Sequence, residues 1–300
     1  MLLVLLSGPA MADTRQQILV VGGASTPAHG EVIGAMTGAL GESGNRRFQL
    51  RSLASGDYTR AQVADAGMVL TVGAEAAAAV LRDPPAVPVY CTFLPEATYA
   101  ALPTPAGGVQ RSALFVDQSY TRRMRLIRQA LPNKNRLGVV LGPESRRDEQ
   151  ALRRAASAEG FRLDIEIIAE ERQLVGALHR AMDDADLLFA VPDAMIFNRH
   201  TAQNILLTAY RLGKPVTGFS RAYVTAGALF SVHSTPALIG REIGETLLAM
   251  PKVFVLPPSH HSKYFEVETN ERVARSLGIT LEGAAELTRR LHQVAAETPQ

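Results

Sequence analysis

The sequence of 300 residues has no tryptophan, one cysteine and only 6% aromatic residues. So few rings leave little for stacking on bases or sugars. The lone Cys91 excludes an intrachain disulfide, and its place in the apolar run 88–94 marks it as a buried small hydrophobe. Neither sign of charge is in excess: 31 basic residues against 29 acidic ones give a net +2, and no basic footprint for nucleic acid results. The one basic cluster, Arg122, Arg123, Arg125 and Arg128, has helical spacing and reads as a solvated face. No apolar run reaches the roughly 18 residues that a membrane helix needs. Phosphate-loop and dinucleotide glycine motifs, zinc-ligand spacings and a G-x-S-x-G elbow are also missing. These absences argue against a nucleotide, a metal, any other cofactor and a hydrolytic nucleophile, so the chain does not read as an enzyme.

What is present begins with MLLVLLSGPAMADT, a short apolar run ending in the A-x-A form Ala10-Met11-Ala12. Residues 1–12 read as a signal peptide, though without the usual basic start, and imply a periplasmic protein.

Apolar runs then alternate with helical patterns. Strands are expected at 17–23, 48–53, 68–72 and 88–94, with helices at 28–40 and 74–81. The pattern restarts with strands at 137–141, 162–169, 187–191 and 215–219 and helices at 146–159, 171–182 and from the turn at Pro192-Asp193 to about Arg211. Beyond it, 227–232 and 253–256 read as strands and 239–250 as a helix. Leu137 follows Ile18 by 119 positions (137 − 18), and Leu187 follows Met68 by the same interval (187 − 68). Such a quasi-repeat of continuous apolar strands implies an α/β fold of two doubly wound parallel-sheet lobes joined by a hinge. The expected division is an N-terminal lobe at 13–110, a C-terminal lobe at 111–232, and a hinge return with a C-terminal appendage at 233–300.

In such sheets ligands bind beyond the carboxyl ends of the strands. The polar groups expected there are Ser25 and Thr26, then Gly73, Ala74 and Glu75, then Thr92 and Phe93 in the first half. In the second half they are Glu144, Ser145, Asp193, Ser220 and Tyr223. Hydroxyls and free N–H groups at helix starts suit an anion, while Asp193 offers an acceptor for a ligand ammonium. For Ser25, Glu75 and Ser145, helix capping or simple exposure is an equally available role, and core packing is one for Phe93.

Four stretches carry a resemblance: ALFVDQSYTRRMRLIRQALPNKNRLGVVLGP at 113–143, LLFAVPDAMIFN at 187–198, KPVTGFSRAYVTAGALFSV at 214–232 with Gly240, and NERVARSLGITL at 270–281. With them the chain resembles ABC-transporter substrate-binding proteins of the type I periplasmic-binding fold, in the family that includes tryptophan- and phenylalanine-binding members. The resemblance implies a monomer that captures a small, amino-acid-like solute between two closing lobes and delivers it to an ABC permease, without catalysis. It places Asp193 against the ligand and Gly73-Ala74-Glu75 at a carboxylate. Thr235-Pro236 and Glu75 depart from the family pattern. They keep open an alternative, a ligand-independent or sensory module that docks another envelope receptor.

Overall fold

Parallel strands buried on both faces dictate the architecture. The computed structural model describes residues 16–23, 26–104 and 108–297. The expected signal segment 1–12 and Ser25 lie outside the described residues. In chain order the elements are β1 (Gln16–Gly22), α1 (Pro27–Glu42), β2 (Phe48–Ala54), β3 (Met68–Val72), α2 (Ala74–Arg82), β4 (Val89–Leu94), α3 (Glu96–Ala101) and β5 (Arg111–Phe115). Then come α4 (Tyr120–Ala130), β6 (Arg136–Leu141), α5 (Glu149–Ala158), β7 (Arg162–Ile167), α6 (Leu174–Met182), β8 (Leu187–Phe189), α7 (Ala202–Arg211), β9 (Val216–Thr217), α8 (Arg221–Ala226) and β10 (Phe230–His233). The chain closes with α9 (Pro236–Ala249), β11 (His260–His261), β12 (Glu266–Thr269), α10 (Glu271–Ser276) and α11 (Ala284–Glu297). No helix among the described residues is long and apolar enough to cross a membrane.

The chain forms two units, Met1–Leu114 with Ile239–His260, and Phe115–Leu238 with His261–Gln300. Their sheets have matching orders, β11-β5-β4-β3-β1-β2 and β12-β10-β9-β8-β6-β7. The quasi-repeat is visible in the ladders: Ile18 pairs with Met68 in the first sheet, and Leu137 with Leu187 in the second. Residues 119 apart thus occupy the same register, which makes each unit the doubly wound half that the apolar runs imply.

In the first unit, Ile18, Val20, Met68 and Leu70 face Val32 and Met36 of α1 and Ile239, Ile243 and Leu247 of α9. Helix α2, rich in alanine, covers β3, β1 and β4. In the second unit, alternate residues serve opposite faces. Leu137, Val139, Leu187 and Phe189 pack with α4, α5 and α11, while Val140, Leu188 and Ala190 pack with α6 and α7. The thiol of Cys91 is fully buried, and burial pushes its pKa up to about 12, which leaves it inert.

Four local expectations differ from what is found. The helix after β8 starts at Ala202, because Asp193 and Asn198 side chains take backbone N–H groups of Met195, His200 and Thr201 and hold residues 194–201 in turns. Residues 253–256 alternate like a strand, with Phe254 and Leu256 buried, yet pair with no strand among the described residues. Pro251, Pro257 and Pro258 flank them without N–H donors; the Gln110 side chain bonds Leu256, and Arg47 holds the carbonyls of Met250 and Pro251 just before the segment. The segment after Leu238 is shared between the units: α9 completes the first core, while β12 pairs antiparallel with β10 and α11 buries Leu287 and Leu291 in the second.

The arginines of α4 are the fourth difference. Arg122 and Arg123 are only 5% exposed, and their guanidinium carbons lie 4.4 Å from the Phe265 ring centre and 4.2 Å from that of Phe189. Arg128 covers Phe161 at 4.1 Å, and Arg125 pairs with Glu159 at 2.8 Å. They are packing elements and not a solvated face.

Helices α1 and α9 approach closely because glycine stands at the contact. A Cβ on Gly240 would lie 2.2 Å from the Val32 carbonyl oxygen, and one on Gly244 would lie 2.7 Å from Ala39 Cβ. Glycine to alanine in a helix interior ordinarily stabilises by about 0.5–1 kcal/mol. Here Gly240→Ala is expected to destabilise by about 2 kcal/mol through overpacking, read as a lower urea midpoint at unchanged slope.

Candidate functional site

In the first unit, strand ends and helix starts gather a small set of groups. Strand β1 runs out at Gly22, and Thr26 caps α1, its hydroxyl accepting from His29 N at 3.4 Å and hydrogen-bonded to His29 Nδ1. The His29 ring lies against Gly73, which opens α2 with φ +95°. A Cβ there would come within 2.3 Å of His29 Nε2, so glycine is required for both conformation and space. Gly73 N donates to the Thr92 carbonyl at 2.9 Å and so fixes the ends of β3 and β4 together.

Phe93 follows at φ +57°, the one non-glycine among the described residues with positive φ, and meets the His29 ring edge-on at 5.5 Å. Glu75 is exposed, and its Oε1 accepts from Ser55 Oγ at 3.0 Å. Beside these groups a groove of about 480 Å³ is lined by residues that include Gly22, Gly23, Thr26, His29, Ser52 and Ala54. Ala74 sits half-buried in the first turn of α2. Thr92 differs from its expected role, because it is fully buried and its hydroxyl donates to the Thr71 carbonyl at 2.7 Å inside the sheet.

In the second unit, Asp193 is 4% exposed and fully engaged. Its Oδ2 accepts from Glu144 N at 3.1 Å and from both N and Oγ of Ser145 at 2.9 Å, while Oδ1 accepts from Met195 N at 3.0 Å. Glu144 reciprocates, its carboxylate accepting from Ala194 N at 3.2 Å, and the Ser145 hydroxyl accepts from Gly142 N at 2.9 Å. Asp193 and Ser145 therefore lock the loop after β6 to the loop after β8. The expected ammonium acceptor is already satisfied by four donors within the fold.

Ser220 is half-buried and caps α8 by accepting from Tyr223 N at 3.3 Å. Tyr223 is 6% exposed, stacked on Phe219 at 5.1 Å and edge-on to Phe197 at 5.5 Å. Burial pushes its phenol pKa well up. It is a core residue, and the half-buried members of that cluster are Phe197 and Phe219.

Two groups at these strand ends were not anticipated. One is His29, whose position three residues after a capping Thr could have drawn notice. The other is Arg123, whose Nη2 donates to the carbonyls of Ala190 and, at 3.4 Å, Gly218, just past β8 and β9. Its spacing, three residues after Tyr120 and four before Ile127, puts it on the buried stripe of α4.

No protein-family model matches the chain, and no curated protein does. Solved structures do. The chain is similar to an ABC domain in complex with L-Trp from Streptococcus pneumonia, with 15% identity, TM-score 0.57, and 91% of this chain and 98% of that one covered. It is similar to CD0873, a substrate binding protein with adhesive properties from Clostridium difficile, in its ligand-free, open structure, with 16% identity, TM-score 0.71, and 89% and 96% covered. A periplasmic ribose ABC transporter protein from Conexibacter woesei matches at 14% identity and TM-score 0.53, with 94% and 99% covered. The fold is thus that of type I periplasmic binding proteins.

The Asp193 lock has a direct consequence for stability. Asp193→Ala would strand the buried N–H and hydroxyl of Ser145 and the partly buried N–H groups of Glu144 and Met195, and is expected to cost about 3 kcal/mol in the ligand-free protein. Urea denaturation in the absence of any solute checks it; an unchanged midpoint would show that the lock contributes nothing.

Proposed function

We propose that the chain is an exported, monomeric solute-binding protein that holds a small, amino-acid-like solute at its strand-end loops and delivers it unchanged to an ABC permease. The observation that carries this reading is Phe93, a side chain kept at φ +57° at the end of β4 and in contact with His29, which lines a groove of about 480 Å³. A non-glycine residue in that region is strained, and such strain collects at ligand clamps. Polar groups at the strand ends of each unit suit a small polar solute: Thr26 and Glu75 in the first unit, and, separately, Glu144 and Ser220 in the second. Supporting the reading, proteins of this fold are described as bound to L-Trp or as a ribose transporter component.

A second reading, an envelope interaction module not coupled to a permease, has one observation in its favour. Val253 and Val255 stand 75% and 52% exposed on the segment before β11, which pairs with no strand among the described residues.

A thermal-shift panel of amino acids, short peptides, nucleosides and sugars tests solute capture. At a hundredfold excess over Kd a true ligand is expected to raise Tm by about 5–10 °C, with the solute recovered chemically unchanged. A flat panel, with no copurified small molecule in native mass spectrometry, would count against solute capture and leave the interaction module.

A further inference from the structure

We infer that the solute carries an anionic group and that Arg123 receives it at the carboxyl ends of β8 and β9; this rests on the solute-capture reading. Arg123 projects from α4 to the point where those strands stop, the edge of a doubly wound sheet at which ligands are met. Both of its hydrogen bonds leave from Nη2 and go to neutral carbonyls. Nε is buried with no acceptor among the described residues. No carboxylate of the described residues lies within ion-pair distance of it, in contrast to Arg125, Arg136 and Arg180, each of which has one.

The charge itself is secure. Burial lowers the guanidinium pKa to about 10, partly offset by Tyr120 and Asp117, so the group stays cationic at neutral pH. A buried cation without a paired anion is expensive to keep unless something supplies the partner. A guanidinium fork with donors to spare matches a carboxylate or a phosphate. Strand-end charge elsewhere points the same way. At the neighbouring loops of the same unit the Asp193 carboxylate is taken up by four donors of the fold. Among the described residues Arg123 is the buried cation whose guanidinium meets the ends of β8 and β9, and the solute's negative group belongs to it.

The test pairs acids with their neutral isosteres: the standard L-amino acids and succinate, each beside its amide, with inorganic phosphate and free sugars, against wild type, Arg123→Met and Arg123→Lys. The expected result is that wild type binds one or more acids or phosphate, that the matching amide binds about 100-fold more weakly, and that Arg123→Met loses this preference while its far-UV circular dichroism is retained. Should Arg123→Met fail to fold, Arg123→Lys keeps the charge without the fork and is expected to weaken the acid about tenfold, a change that a purely structural clamp would not make selective for acid over amide. Tight binding of a neutral sugar by wild type, or an undiminished acid preference in the folded Met variant, overturns the assignment and leaves solute capture standing. No shift with any acid, amide, phosphate or sugar overturns both.

Discussion

Hydrogen-bonded parallel strands covered on both faces are the constraint from which the rest of this protein follows. In each sheet the central strands are sealed by helices, so even a hydroxyl such as Thr217 finds no hydrogen-bond partner among the described residues once it points inward. Polar chemistry then has one place to emerge, the loops beyond the carboxyl ends of the strands. That is where Thr26, His29, Glu75 and Phe93 collect in one unit, and Glu144, Arg123 and Ser220 in the other. Close helix packing enforces the same rule, since α9 can seal the first core against α1 only because Gly240 and Gly244 bring no side chain to the contact.

The fold was legible because its signals are periodic. Continuous apolar runs at 18–21, 68–72, 137–141 and 187–191 marked buried parallel strands, and their common spacing of 119 returned as a common ladder register. Where periodicity misled, a local competitor had won. Asp193 and Asn198 drew backbone donors away from the expected helix, and prolines on both sides denied residues 253–256 a pairing partner. The α4 arginines look like a polar face in a sequence, yet a guanidinium can stand over an aromatic ring while some of its donors reach carbonyls.

The candidate site was less legible, for a reason particular to strand ends. A Ser, Thr or Asp placed there is written with the same letter whether it meets a solute or ties two loops together. Ser145 and Asp193 turned out to be tied to each other, and Thr92 to the carbonyl of Thr71, while Thr26 and Ser220 cap helices from positions that still reach solvent. Only the count of partners separates the two roles, and partners arrive from segments far away in sequence: Glu144 and Ser145 stand 49 and 48 positions before Asp193.

The two charged groups buried at the strand ends of the second unit make that count quantitative. Asp193 holds four donors at 2.9–3.1 Å, a full complement for a carboxylate, and its charge is dispersed over the loops that it joins. Arg123 has five N–H donors, yet two carbonyls share a single nitrogen, Nε has no acceptor among the described residues, and the Phe189 ring lies on one side of the guanidinium. A saturated carboxylate keeps its form by itself and stiffens the loops, whereas an unsaturated cation keeps donors in reserve. Stiff loops around a donor in reserve are what preorganised recognition of an anion requires, because ordering costs are met on folding and not on binding. The lock at Asp193 and the open valence at Arg123 are therefore two parts of one arrangement, the first holding in place the edge on which the second acts.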